Sequence, residues 1–429
     1  MKQSRYNYII HKNGIAYWYN GLSHAFFKLS GEISIKLEKL LDFSDRIEEQ
    51  IPSFYKKLVK QGFLIDDDVN ELNIVHELQQ KQIDTKDCMM VIIPTMNCNY
   101  SCWYCVQSHV PSVMSKETVE RILTYIRFQI ISGNIKSLQI EWFGGEPFLQ
   151  FGHIVKPLGK KIYELCNEHN IPFYQSATTN GYFLTPNIIN NLTSLNFKQF
   201  QITLDGDRNN HNKIKYQDKC DSTYDHVLNN IRSILSQTDD IRFLLRINYD
   251  YTNISSDILG EINSIIPENL RKRITIFPHK VWQTIPNREK NKELFELWKR
   301  FKQSGYQIEL PLLMRSHESC YVNRKNYVTI NYNGEVVKCT SDGDLNEKGL
   351  IRPGKLEKNG EISWKDKTHE LLTKPTGRTK RCTSCKFLPL CFGPCPKYAL
   401  TEDDDYCKMD YSDSTFEDVI VEYINLMTP

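Results

Sequence analysis

Three cysteines stand in one short run, Cys98, Cys102 and Cys105, spaced C-x3-C-x2-C just behind the apolar stretch CMMVIIP (88–94). Thiolates are soft ligands, and three of them on one loop are one fewer than a closed tetrahedral zinc site or a fully protein-ligated iron–sulfur cubane needs. An iron left without a protein ligand is open to a small molecule. The alternatives are a zinc site completed by a remote histidine such as His109, or chance clustering. A second concentration of thiols follows late in the chain, at Cys320, Cys339, Cys382, Cys385, Cys391, Cys395 and Cys407. Within it Cys382-x2-Cys385 is by itself a common zinc half-site. Cys88, Cys166 and Cys220 stand apart and read as small buried or incidental residues.

Composition favours metal over disulfides. The chain has 429 residues, 13 of them Cys, with 54 Lys+Arg against 52 Asp+Glu and 40% hydrophobic residues. That length supplies a sizeable core and two or three domains, so disulfide staples are not needed. The start, MKQSRYNYIIHKNG, has no signal-peptide core, and no apolar run approaches a membrane span. A cytoplasmic chain is expected, without membrane or nucleic-acid partners, because a net charge of +2 gives no basic footprint.

The elements that would position these residues follow a strand-then-helix rhythm. CMMVIIP (88–94), SLQIEW (137–142), PFYQSAT (172–178), KQFQITL (198–204), RFLLRIN (242–248) and RITIFP (273–278) are short β-rich runs. Helix-period segments lie between them. In 115–131, Ser115 is the expected N-cap, and Val119, Ile122, Leu123, Ile126 and Ile130 share a face. Serial β/α units imply a parallel sheet covered by helices, open or curled into part of a barrel. CNYSCWYC, GGEP, TTNG and LDGD each fall just after a strand, where the carboxyl-end loops of such folds build the site. After about 310 the rhythm stops. That segment is turn-rich with few apolar runs, so bound metal is expected to hold it. Asp403, Asp404 and Asp405 read as a solvated loop.

With Tyr104 before its last cysteine, the Cys98/Cys102/Cys105 run resembles the signature of the radical S-adenosylmethionine (SAM) enzymes. Gly144, Gly145, Glu146 and Pro147 resemble that family's second motif. The resemblance implies an α/β fold with a partial (β/α)6 TIM-like barrel, a [4Fe–4S] cluster on the three cysteines, and SAM on the open iron. The glycines would let backbone approach the methionyl end of SAM, and Glu146 would orient its ammonium. ITLDGDRNNHNKIKY (202–216) is similar to a further family stretch, which makes Thr203 a SAM-contacting hydroxyl and Lys215 a basic contact, where arginine is more usual. Arg246 and Asn248, ending the fifth strand, would also face SAM.

The late cysteines are similar to the seven-cysteine SPASM extension, which binds two auxiliary iron–sulfur clusters. By that match Cys382, Cys385, Cys391 and Cys407 hold one. Cys320, Cys339 and Cys395 hold the other with only three ligands, since Met314 stands where sulfatase-maturating relatives place a further cysteine. Those relatives also carry a basic aspartate where Thr340 stands, which disfavours sulfatase maturation.

Residues 1–82 read as a separate module: strands around Lys12-Asn13-Gly14, then helices, then FYKKLVKQGFLID. The module looks like the winged-helix-like front end of SPASM peptide maturases, whose exposed hairpin edge could accept an extended leader as an added strand. A cap that merely stabilises the barrel is the alternative. The expected division is therefore 1–82 for leader recognition, 83–309 for the radical SAM barrel and 310–429 for the auxiliary clusters. The implied activity is maturation of a ribosomally made precursor peptide. Reductive cleavage of SAM would give a 5′-deoxyadenosyl radical, which would take a hydrogen atom from a peptide carbon; the substrate radical would form a thioether or carbon–carbon link, with an auxiliary cluster accepting the leftover electron. A flavodoxin or ferredoxin would donate electrons. Formylglycine formation of the sulfatase type and a non-catalytic zinc-stapled binding protein are the alternatives, and no catalytic acid or base is assigned.

Overall fold

The computed structural model describes residues 1–254, 257–310, 319–341, 353–397, 406–412 and 414–428. At the amino end, strands β1 (Lys2–Gln3), β2 (Asn7–Lys12), β3 (Ile15–Asn20) and β4 (Phe26–Ser30) precede helices at Gly31–Leu41, Ser44–Gln50 and Pro52–Lys60 and strand β5 (Leu64–Ile65). β2, β3 and β4 form an antiparallel sheet, and β1 pairs with β5. The β2–β3 turn forms where Asn13-Gly14 demands it, with φ of +52° and +75° at the two residues. Gly62, at φ +77°, terminates the third helix in the left-handed conformation expected of a glycine beyond a helix end.

Strand periodicity explains the aromatic run IAYWYN. Alternate residues point to opposite faces, so Ala16 and Trp18 pack on the three helices with Leu37, Leu58 and Phe63. Tyr17 and Tyr19 instead pack on Phe387, Leu390 and the carboxyl-terminal helix Phe416–Met427 through Val419, Ile420 and Ile424. Both faces of the strand are covered, and the aromatic residues are packing, as their positions imply.

Strands β6 (Asp87–Ile92), β7 (Ser137–Trp142), β8 (Phe173–Thr179), β9 (Phe197–Asp205), β10 (Arg242–Tyr249) and β11 (Ile274–Lys280) lie parallel in sequential order, extended by the short β12 (Gln307–Ile308). This is the partial β/α barrel. One strand face packs outward on helices: Leu138, Ile140 and Trp142 of β7 meet Ile122 and Ile126 of helix Lys116–Ile131. Ser115 caps that helix, accepting from the backbone N–H of Thr118 at 3.1 Å. The other face alternates with it and stays partly accessible at Gln139, Glu141, Gln201, Thr203, Leu244 and Arg246. That face is the barrel lumen.

The sheet does not stop at residue 309. Strand β13 (Val328–Ile330) pairs in parallel with β6, and β14 (Glu335–Val337), β15 (Gly354–Leu356) and β16 (Ile362–Trp364) continue it antiparallel. Apart from the helix Phe416–Met427, the described part of the C-terminal segment has only short elements, with a further small core around Val322, Cys339 and Leu372.

Candidate active site and cluster sites

The cysteine loop leaves β6 and turns across the carboxyl end of the barrel. Cys98 accepts from the backbone N–H of Tyr100, and Cys105 from that of Gln107, each at 3.4 Å. A sulfur that accepts a main-chain N–H two residues on is prepared for the thiolate form, which such bonds stabilise. Burial counteracts this in the free chain and raises the thiols of Cys98, Cys102 and Cys105. His109, at φ +48°, places Nε2 3.4 Å from Cys105 Sγ.

The two glycines after β7 allow a close approach within the chain itself. A Cβ on Gly144 would lie 2.5 Å from the Thr95 carbonyl, and one on Gly145 would lie 2.2 Å from that of Asn97. They make room for the backbone that leads into the cysteine loop. Gly145 and Glu146 then donate their N–H groups to Thr95 and Asn97 at 3.2 and 2.7 Å. The Glu146 carboxylate is fully buried and accepts from Phe148 N–H, Thr179 Oγ1 and Asn180 N–H at 2.8–2.9 Å. Burial raises its pKa to about 7 against those donors. Pro147 opens the short helical turn that Glu146 caps. One side chain thus ties together the GGEP turn, the TTNG loop and, through its backbone, the cysteine loop. Asn180 reaches on to Asn99 Oδ1 at 2.7 Å and stands 3.9 Å from Cys98 Sγ.

Thr203 lies on the lumen face of β9, level with Arg246 of β10. Lys215 is 3% exposed, and its ammonium contacts Asp205 Oδ2 at 2.7 Å and the Thr203 carbonyl at 2.9 Å. The Tyr104 hydroxyl donates to the other oxygen of Asp205. Burial works to raise Asp205, but Lys215 and the hydrogen bonds hold it below the usual carboxylate range. Arg246 donates to Asn248 Oδ1 at 2.8 Å and lies 2.9 Å from His279 Nδ1.

Residues 92–245, from the end of β6 into β10, match the family model of the radical SAM superfamily. The chain carries a radical SAM domain. Members of that family use SAM and a [4Fe–4S] cluster. The curated relative TigE, a radical SAM cyclopropyl synthase of Paramaledivibacter caminithermalis, is 24% identical over 234 residues, covering 49% of this chain and 48% of that protein. The chain therefore spans about half the length of the curated relative it matches. Among solved structures, native anSMEcpe with bound AdoMet superposes at a TM-score of 0.52 and 16% identity, over 79% of this chain and 98% of that one. Streptococcus suis SuiB bound to precursor peptide SuiA superposes at 0.51 and 14% identity, over 98% of this chain and 99% of that one. At these identities the two structures establish the fold.

Beside the radical SAM domain, several of the late cysteines lie close together. A cavity of about 300 Å³ is lined by Cys382, Cys385, Cys391 and Cys407, with Met409 and Phe416 beside them. Cys385 and Cys391 accept from the N–H groups of Phe387 and Gly393 at 3.3 Å, repeating the geometry of the first loop. Cys320 and Cys339 share a small cluster with Tyr321, and Cys395 is near enough to raise the Cys339 thiol electrostatically, behind the larger effect of burial. Met314 and Asp403 to Asp405 lie outside the described residues. Among the described residues no three Cys, His, Asp or Glu side chains converge on a point a single metal ion could take. Thiolates that line a cavity suit a cluster, in which each sulfur binds a different iron.

One group escaped the sequence reading. Glu141, in the lumen on β7, accepts from Thr178 Oγ1 at 2.8 Å and from Ser176 Oγ, both on β8, and burial raises its pKa to about 7. The available signal was a carboxylate at an alternate position of the otherwise apolar run SLQIEW.

Proposed function

We propose that the chain is a radical SAM peptide maturase with a SPASM-type extension, acting on a ribosomally made precursor peptide to form a thioether or carbon–carbon link. The observation that carries this reading is the convergence of the cysteine loop, the GGEP turn, the TTNG loop and the LDG turn on one end of an open lumen. Cys98, Cys102 and Cys105 would hold the cluster. The backbone of residues 144–147, with Thr203, Arg246 and Asn248, would face SAM. Bound there, cluster and SAM supply an electron and a 5′-deoxyadenosyl radical.

The chain's own residues do the rest. With cluster and SAM bound, the sheet walls and cysteine loop would shield the lumen from bulk water, which protects a radical from quenching. Glu141, with a pKa near 7, is suited to hold a proton at its carboxylate. Cys382, Cys385, Cys391 and Cys407 would hold one auxiliary cluster, and Cys320, Cys339 and Cys395 a second. Thr340 hydrogen-bonds the Tyr321 hydroxyl at 3.0 Å and offers no carboxylate at the position the sulfatase branch uses.

A peptide substrate is favoured over a folded protein by the span of the SuiB superposition, which includes the amino-terminal module. We assign leader capture to residues 1–82 and electron supply to a flavodoxin or ferredoxin. Anaerobically reconstituted protein given SAM and dithionite should release 5′-deoxyadenosine, and Cys102→Ala should abolish it. Equal release from wild type and variant overturns the reading.

A further inference from the structure

We propose that Lys215 acts through Asp205 on Tyr104, as a clamp that fixes the cysteine loop to the end of β9, and is a positioning residue with no direct contact to SAM. The inference rests on the radical SAM reading of the Cys98/Cys102/Cys105 loop.

The geometry runs from a rigid anchor to the loop. At Gly206, φ is +71° and a Cβ would lie 1.8 Å from the Asn253 carbonyl, so the LDG turn has one allowed course. Asp205, fully buried in that turn, takes the His211 imidazole on its backbone N–H at 3.2 Å and Asn248 Nδ2 on Oδ1 at 3.4 Å. Its carboxylate then bridges Lys215 and the Tyr104 hydroxyl. Tyr104 immediately precedes Cys105, so the hydroxyl bond sets where that thiol stands.

Lys215 is itself fixed. Its carbonyl accepts from Thr223 Oγ1 at 2.5 Å, and two of its three ammonium donors go to Asp205 and Thr203. With its side chain 4% exposed, the ammonium faces protein on nearly all sides. Lysine brings a compact ammonium with three donors to this site, where arginine would bring a planar fork of five. The loop is pinned nearby by Gln217 Nε2 donating to the Asn99 carbonyl at 2.5 Å.

The test uses the full-length, anaerobically reconstituted protein and the variants Tyr104→Phe, Lys215→Met and their combination. Each is challenged with an iron chelator and iodoacetamide, and alkylation is followed per peptide by mass spectrometry, while SAM binding is measured by equilibrium dialysis. The clamp predicts that either single variant speeds alkylation of Cys102 and Cys105 roughly tenfold, the effect of losing one charge-assisted hydrogen bond. The combined variant should be no faster than the faster single one, because both cut the same path. Cys382, Cys385 and Cys391 should react at wild-type rates, which general unfolding would not allow. SAM affinity should fall alike in both single variants. Weaker SAM binding in Lys215→Met with unchanged alkylation, or effects that multiply in the combination, overturns the clamp. If Lys215→Met fails to fold, Tyr104→Phe decides alone: an unchanged rate overturns the proposal. Wild-type protein that holds neither iron nor SAM overturns the parent reading and the clamp with it; iron and SAM bound without coupling removes the clamp only.

Discussion

Glu141 and Glu146 are both carboxyls that burial raises to about 7 from an ordinary 4.5. A raised acid takes up its proton more readily in the fold than in the unfolded chain. The stability this contributes is complete below about pH 4.5 and is lost as pH rises through about 7. Thermal unfolding should therefore show the protein less stable at pH 8 than at pH 5.5. Glu141→Gln keeps an acceptor for one of the Ser176 and Thr178 hydroxyls and turns an amide donor to the other, which can accept it, while removing the charge. It should stabilise on the order of 1–2 kcal/mol at pH 8 and little at pH 5.5. Equal destabilisation at both values would mean the carboxylate is not held in this way. Gly145→Ala should displace the loop at Asn97, costing about 1–3 kcal/mol or more and lowering iron retention at the first cluster. Gly152→Ala, with nothing within 4 Å of the new Cβ, is the matched control and should leave both unchanged. The motif residues were legible because their types are rare and their spacing is fixed by one loop. Their partners were not, since the sequence does not reveal that Asp205 joins Tyr104 to Lys215 across 101 and 10 positions.

The strands were readable to within a residue or two at each end, because an apolar face every second residue marks them plainly. SLQIEW is a strand over the residues expected, and Ser115 caps its helix as expected. What periodicity does not disclose is which faces meet across long separations. Nothing in IAYWYN tells that Tyr17 and Tyr19 close on a helix near the other end of the chain, nor that β13 pairs beside β6. Those contacts yield a test at this scale. Ile420 is fully buried between the amino-terminal sheet and Phe387. Ile420→Ala should cost about 2–4 kcal/mol and speed hydrogen exchange in β2 and β3 as well as in its own helix. Faster exchange confined to residues 416–427 would show that the two ends are not coupled.

At the scale of the whole molecule, the amino-terminal sheet, the four-cysteine cavity and the carboxyl-terminal helix share one apolar cluster, with Cys385 and Cys391 packed against it. Deleting residues 1–82 would strip that face from the cavity. The deletion is expected to lose the iron of that auxiliary site, about four atoms for a cubane, beyond any effect on peptide capture. Leader binding is therefore better probed by single substitutions on the outer edges of β2 and β4, which no other described strand pairs with. No described helix is long and apolar enough to cross a membrane. The most direct measurement of the central claim is the metal content of the anaerobically reconstituted full chain. Three thiolate sites predict about twelve irons per chain if each holds a cubane, falling by about four when Cys98, Cys102 and Cys105 are changed to alanine together. Zinc in place of iron, or an iron content indifferent to those three cysteines, would contradict the account.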